Sequence, residues 1–274
     1  RRDPETRLRA WLEELVGSPA GQQAETIVLS GEAIPGSFDS AGFQQIKTIL
    51  DEYFTETTCI YYVRHLCDHA ISQYGEYVRR RRMKDTFSEF APVYVAPFLE
   101  AITKMEQTFG RGNVTVLQFE AERAALWPNF VRLLGANPDD MRLPIEVNRS
   151  LCAEEILLIR DLNRLGITRT LLAKTLSNYS AAIGPATSNR LTPTPADIEA
   201  IAQTHAAQMD YINGLLPDGC QLKPASDSLF ERARTHVPVE TAELPFEHMR
   251  AMLVAALTTS DAVLSKQEES DDDD

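Results

Sequence analysis

Between Thr58 and Tyr74 the chain changes its period, and this change constrains the fold more than any other feature. The run Thr58-Cys-Ile-Tyr-Tyr-Val63 is β-branched and aromatic, the composition of a half-buried or buried strand. Arg64 closes it. From residue 66 to residue 82 the apolar positions recur at helical spacing. A strand that passes directly into a helix is the first half of a βαβ unit, so the segment predicts a layered α/β fold.

The same step is read on both sides. Thr26-Ile-Val-Leu-Ser30 is a short apolar run and reads as a buried parallel strand. It is followed by a helix from Gly42 to Phe54, with Phe43, Ile46, Ile49, Leu50 and Tyr53 apolar. Asn113 to Phe119 reads as a third strand, and Glu122 to Leu134 as the helix after it, closed by Gly135. Pro92 and Pro97 bracket the start of another helix, which runs to Phe109 and stops at Gly110-Arg-Gly112. A further helix is expected over residues 5–16, ending at Gly17-Ser-Pro. Strand and helix thus alternate three times over residues 24–135, the pattern of right-handed crossovers on a parallel sheet.

Past Asn148 no clear strand is read. Residues 153–182, 195–215 and 245–265 have helical patterns. Leu191-Thr-Pro-Thr-Pro195 reads as a boundary loop, with Thr194 ahead of Pro195 suited to start a helix. The expected organisation is an α/β core over residues 1–150 and a helical extension packed on it over 151–265. An acidic tail over 266–274 is expected to be disordered.

Charge and cysteine usage remove several function classes. The net charge of −13 argues against non-specific nucleic-acid binding, which needs a basic footprint. No apolar run approaches the ~18 residues that span a bilayer. Cys59, Cys67, Cys152 and Cys220 are scattered, which suits reduced thiols and a cytoplasmic protein rather than a disulfide framework. The five histidines lack the spacing of a metal site, and neither a G-x-S-x-G elbow nor a G-x-x-x-x-G-K-[ST] loop is present. A chain that starts at Arg1 rather than Met reads as trimmed or excerpted.

The residues that remain point to anion chemistry. In an open α/β sheet, ligands bind at the carboxyl ends of the strands, and helix N-termini there favour negative charge. Arg64 occupies that position, and Ser72 follows eight residues later, on the expected helix. An arginine fork and a hydroxyl together suit a phosphate ester. Glu32 follows the first expected strand, in Leu29-Ser-Gly-Glu32, with Ser30 as a neighbour; the alternative is a turn, given Gly31 and Pro35-Gly36. Arg79-Arg-Arg-Arg82 with Lys84 is the densest basic run. It either complements a helix C-terminus or attracts an anion, whether an acidic acceptor such as a uronic-acid or sulfated glycan or the phosphates of a cofactor. His65 and His69 flank the helix start.

The spacing Arg-x7-Ser-x-Tyr at Arg64, Ser72 and Tyr74, with Asp68 between, resembles the 3′-phosphate-binding segment of the 3′-phosphoadenosine 5′-phosphosulfate (PAPS)-dependent sulfotransferases, on a bacterial-type branch. Leu66 stands where many members carry proline. Later landmarks follow in the family's order: Val114-Thr-Val-Leu-Gln-Phe-Glu120, Phe130-Val-Arg-Leu-Leu-Gly135 and Asn148-Arg-Ser150. In this resemblance Glu120 and Asn148 tie loops to backbone groups, and Ser150 caps a helix. The resemblance covers residues 1–165.

It implies a P-loop-type parallel sheet flanked by helices, and transfer of a sulfuryl group from PAPS to a hydroxyl or amine of a small-molecule or glycan acceptor. Adenosine 3′,5′-bisphosphate is the product, and no metal takes part. Arg64 and Ser72 would hold the 3′-phosphate, and Glu32 would act as the base. The family's strand and Gly/Lys/Thr-rich loop for the 5′-phosphosulfate are expected upstream of Arg1. Lys47, Lys84 and Lys104 lie in or after helices and do not replace that loop's lysine, so the isolated chain is expected to transfer sulfate poorly or not at all. Two other classes stay open: a non-catalytic relative that binds a nucleotide or acidic glycan, and a structural or interaction protein with a vestigial site.

Overall fold

A computed structural model describes residues 4–31, 34–141, 151–164, 166 and 190–235. Its main helices are α1 (Pro4–Gly17), α2 (Ser40–Leu50), α3 (Leu66–Arg81), α4 (Phe98–Phe109), α5 (Leu126–Leu133), α6 (Ala153–Arg164), α7 (Pro195–Thr204), α8 (Ala206–Asn213) and α9 (Asp227–Thr235). Between them lie several single turns of helix. Two strands, β1 (Cys59–Val63) and β2 (Val114–Gln118), pair in parallel, with Cys59 opposite Val114 and Val63 opposite Gln118. The protein is therefore α/β, mostly helical, with a small parallel sheet.

One expected strand does not form. Thr26–Ser30 has no regular structure, and Val28 and Leu29 are 48% and 36% exposed. A β-compatible run becomes a strand only when a neighbour accepts its hydrogen bonds, and among the described residues none does. The helix expected from Glu122 to Leu134 is also interrupted. Residues 119–122 and 123–125 form short turns, and α5 starts only at Leu126. Pro128 accounts for this: in a continuous helix its ring would clash with the carbonyl four residues earlier, whereas in a first turn its missing N–H costs nothing. The expected patterns over 167–182 and 245–265, and the acidic tail, fall outside the described residues.

The contacts divide the chain into two units. The first contains residues 1–65, 95–145 and 205–223. Its core joins Leu12, Phe43, Ile49, Leu50, Ala101, Met105 and Phe109, with Tyr61 and Val114 of the sheet packed against them. Asp39 caps α2 by accepting the Gly42 N–H at 2.8 Å. Gly110, at φ 86°, ends α4 in the left-handed region that a side chain would oppose.

The second unit contains residues 66–94, 146–204 and 224–274. Leu66, Cys67, Ala70, Tyr74 and Val78 are fully buried along one face of α3. Tyr74 meets Phe87 edge-on at 5.5 Å and Phe90 at 5.6 Å. The Asn163 side chain from α6 donates to the carbonyls of Val78 and Met83, at 2.8 and 3.2 Å, closing the C-terminal end of α3. Thr194 starts α7 as expected: its hydroxyl accepts from Asp197 N–H at 3.1 Å, and the Asp197 carboxylate accepts the Thr194 N–H at 2.7 Å. Among the described residues no helix is long and apolar enough to cross a membrane.

Candidate functional site

In the first unit, the carboxyl ends of the two parallel strands carry a connected polar group. β1 delivers Arg64 and His65, and β2 delivers Gln118, Phe119 and Glu120. The two ends arrive side by side because the strands pair in register, with Val63 opposite Gln118. The Arg64 Nε donates to Glu120 Oε1 at 3.1 Å, and the guanidinium lies over the Phe119 ring, 4.9 Å from its centroid. Glu120 Oε2 accepts the His65 backbone N–H at 3.2 Å and a Gln118 side-chain N–H at 2.7 Å. Gln118 is anchored in turn, its amide oxygen accepting from Ala121 N–H. His65 is buried, and its Nδ1 accepts the Lys223 backbone N–H at 3.1 Å.

The Arg64 side chain is 31% exposed and that of Glu120 16%. Nε is taken by the carboxylate, while among the described residues the two terminal nitrogens of Arg64 have no hydrogen-bond partner. The arrangement is a guanidinium fixed at its root and open at its fork. Such a fork binds the paired oxygens of a phosphate or carboxylate.

The second unit holds the residues that follow Arg64 in the resemblance. Ser72 is exposed on α3. Tyr74 is fully buried, and its hydroxyl donates to the Asp85 carbonyl at 2.8 Å, so it is a core residue. Asp68 accepts from the Ser226 backbone N–H at 2.8 Å and from its hydroxyl at 2.9 Å, tying the start of α3 to the segment before α9. His69 Nδ1 pairs with the Tyr94 hydroxyl at 2.7 Å. The basic run fits its role at a helix end. Arg79 and Arg80 pair with Glu76, and Arg81 covers the Tyr77 ring at 4.3 Å. Arg82 follows with φ 59°, the left-handed position just past the helix.

Glu32, Asn148 and Ser150 lie outside the described residues; Ser30 is exposed in the irregular segment. Among the described residues no group of three His, Cys, Asp or Glu is placed to hold a metal. Burial pushes the thiols up: Cys59 to about 11, Cys152 to about 12, and Cys67, fully enclosed, further still. The same cause raises the Tyr61 phenol to about 12. None of these groups is prepared to act as a nucleophile near neutrality.

Sequence reasoning missed two participants. Gln118 had a signal, since it is a polar residue on the buried side of β2, in line with Val116. Lys223 had none, for it reaches His65 across a separation of 158 residues.

No family model matches this chain, no curated protein does, and no solved structure does.

Proposed function

We propose that this chain is a PAPS-dependent sulfotransferase-like protein, and that Arg64 holds the 3′-phosphate of the nucleotide. Support comes from the order of its motifs, Arg64, Ser72 and Tyr74 followed by Val114–Glu120. The observation that carries the reading is the Arg64 fork, rooted on Glu120 at the carboxyl edge of a parallel strand pair. That is where an α/β sheet receives phosphate. In this reading β1 and β2 belong to a P-loop-type parallel sheet flanked by helices, residues 1–150 are the α/β core that carries it, and residues 151–265 are a helical extension. The protein works in the cytoplasm.

The reaction is an in-line displacement at sulfur. The acceptor hydroxyl or amine of a small molecule or glycan attacks, and its proton passes to the Glu32 carboxylate. The bond from sulfur to the 5′-phosphate oxygen breaks, and adenosine 3′,5′-bisphosphate leaves. Positioning and charge stabilisation supply the catalysis, with no metal.

Calorimetric titration of adenosine 3′,5′-bisphosphate tests this. An arginine–phosphate pair is worth about 1.5–3 kcal/mol, so Arg64→Ala should weaken binding roughly 10- to 100-fold. Binding unchanged within about twofold on the scale of that pair refutes the assignment.

A further inference from the structure

We propose that Glu120 is a positioning residue, one that sets the Arg64 guanidinium so that its two terminal nitrogens face outward as a ready-made fork for a phosphate monoester. The inference rests on the reading of Arg64 as a phosphate ligand.

Three donors converge on the Glu120 carboxylate: Arg64 Nε, the His65 backbone N–H and the Gln118 amide. An ionised carboxylate has about four acceptor sites, so these bonds use most of its capacity and hold it in one orientation. Gln118 is itself fixed by Ala121, and its side chain also lies within 3.2 Å of the His65 ring. The orientation of Glu120 is thus inherited from the register of the two strands, which places Gln118 opposite Val63. Phe119 supports the guanidinium plane from one face. Only Nε is consumed, which spares the pair of N–H groups that matches a phosphate edge.

The arrangement has an electrostatic cost. The negative charge of Glu120, next to the guanidinium, opposes the approach of an anion. Glu120 therefore helps through geometry alone. A long, flexible arginine loses rotamer freedom when it binds, and a guanidinium already held has less to lose. The contribution of Glu120 must then vanish when Arg64 is absent and must be specific to ligands carrying the 3′-phosphate.

The test is a double-mutant cycle on the full chain, read by calorimetric titration with adenosine 3′,5′-bisphosphate and with adenosine 5′-monophosphate, which lacks the 3′-phosphate. Glu120→Ala is expected to weaken bisphosphate binding about tenfold when Arg64 is present, and by less than about twofold when Arg64 is already alanine. Monophosphate affinity should not move. A loss of equal size in both backgrounds, an equal loss for both nucleotides, or no loss at all overturns the inference. If Arg64→Ala leaves bisphosphate affinity unchanged, the phosphate reading itself falls first, and the two failures are thereby told apart. Should Glu120→Ala not fold, the unsubstituted protein decides by magnetic resonance. The Arg64 Nε–H must exchange with water more slowly than that of an exposed arginine, and exchange at the free rate overturns the assignment.

Discussion

Replacing Tyr74 separates its place in a sequence pattern from its place in the core. Its ring is fully buried, with Phe87 at 5.5 Å and Phe90 at 5.6 Å, and its hydroxyl donates to the Asp85 carbonyl at 2.8 Å. Tyr74→Phe keeps the ring and deletes the hydroxyl that makes that bond. The net loss expected is about 1–1.5 kcal/mol, the ordinary worth of a neutral hydrogen bond. Tyr74→Ala removes the ring as well and leaves a cavity, for a loss of about 3–5 kcal/mol. Urea unfolding followed by circular dichroism measures both. For a chain of this size a loss of about 1 kcal/mol also lowers the thermal midpoint by roughly 2–4 °C. A Tyr74→Phe variant as unstable as Tyr74→Ala would refute the division between bond and packing. A cost under about 0.3 kcal/mol for Tyr74→Phe would show that the hydroxyl bond contributes nothing, contrary to its expected worth.

Other substitutions and reagents test the neighbouring structure. Gly75 lies within α3, and a Cβ there would meet only Ile156 Cδ1 at 3.6 Å, an ordinary contact. Gly75→Ala should therefore stabilise the protein by about 0.5–1 kcal/mol through helix propensity, and a lower urea midpoint would contradict this. Alkylation with iodoacetamide at pH 8 should label Cys220 and spare the other three thiols until the chain is unfolded. The raised thiols favour the neutral form in the folded state. Their contribution is complete below the ordinary thiol range and is lost as pH climbs through about 11, so stability should fall over that interval. Labelling of Cys59 at pH 8 as fast as that of Cys220 would count against the burial described here.

The parts of the fold legible in the sequence are those written locally. β1 and α3 could be read because a β-branched and aromatic run gives way at Arg64 to apolar residues at helical spacing. Helix ends could be read where one residue sets the backbone, as at Gly110 and Gly135, both at positive φ, and at Thr194 with its reciprocal cap. Thr26–Ser30 could not, because strand formation depends on a partner that its own composition does not specify. Nor could α9, where Leu229 and Ala233 are the buried residues while Phe230 stays exposed among polar neighbours. At the candidate site, the position of Arg64 was legible. Its pairing with Glu120, 56 residues away, follows from strand register and became visible only once the strands were aligned.

The most direct measurement compares the affinity of the chain for adenosine 3′,5′-bisphosphate with its affinity for adenosine 5′-monophosphate, before and after Arg64→Ala. The account predicts that the intact protein prefers the bisphosphate by about tenfold or more, the worth of one arginine–phosphate pair, and that the substitution abolishes the preference. Equal affinities in the intact protein, or a preference that survives the loss of the guanidinium, would contradict it.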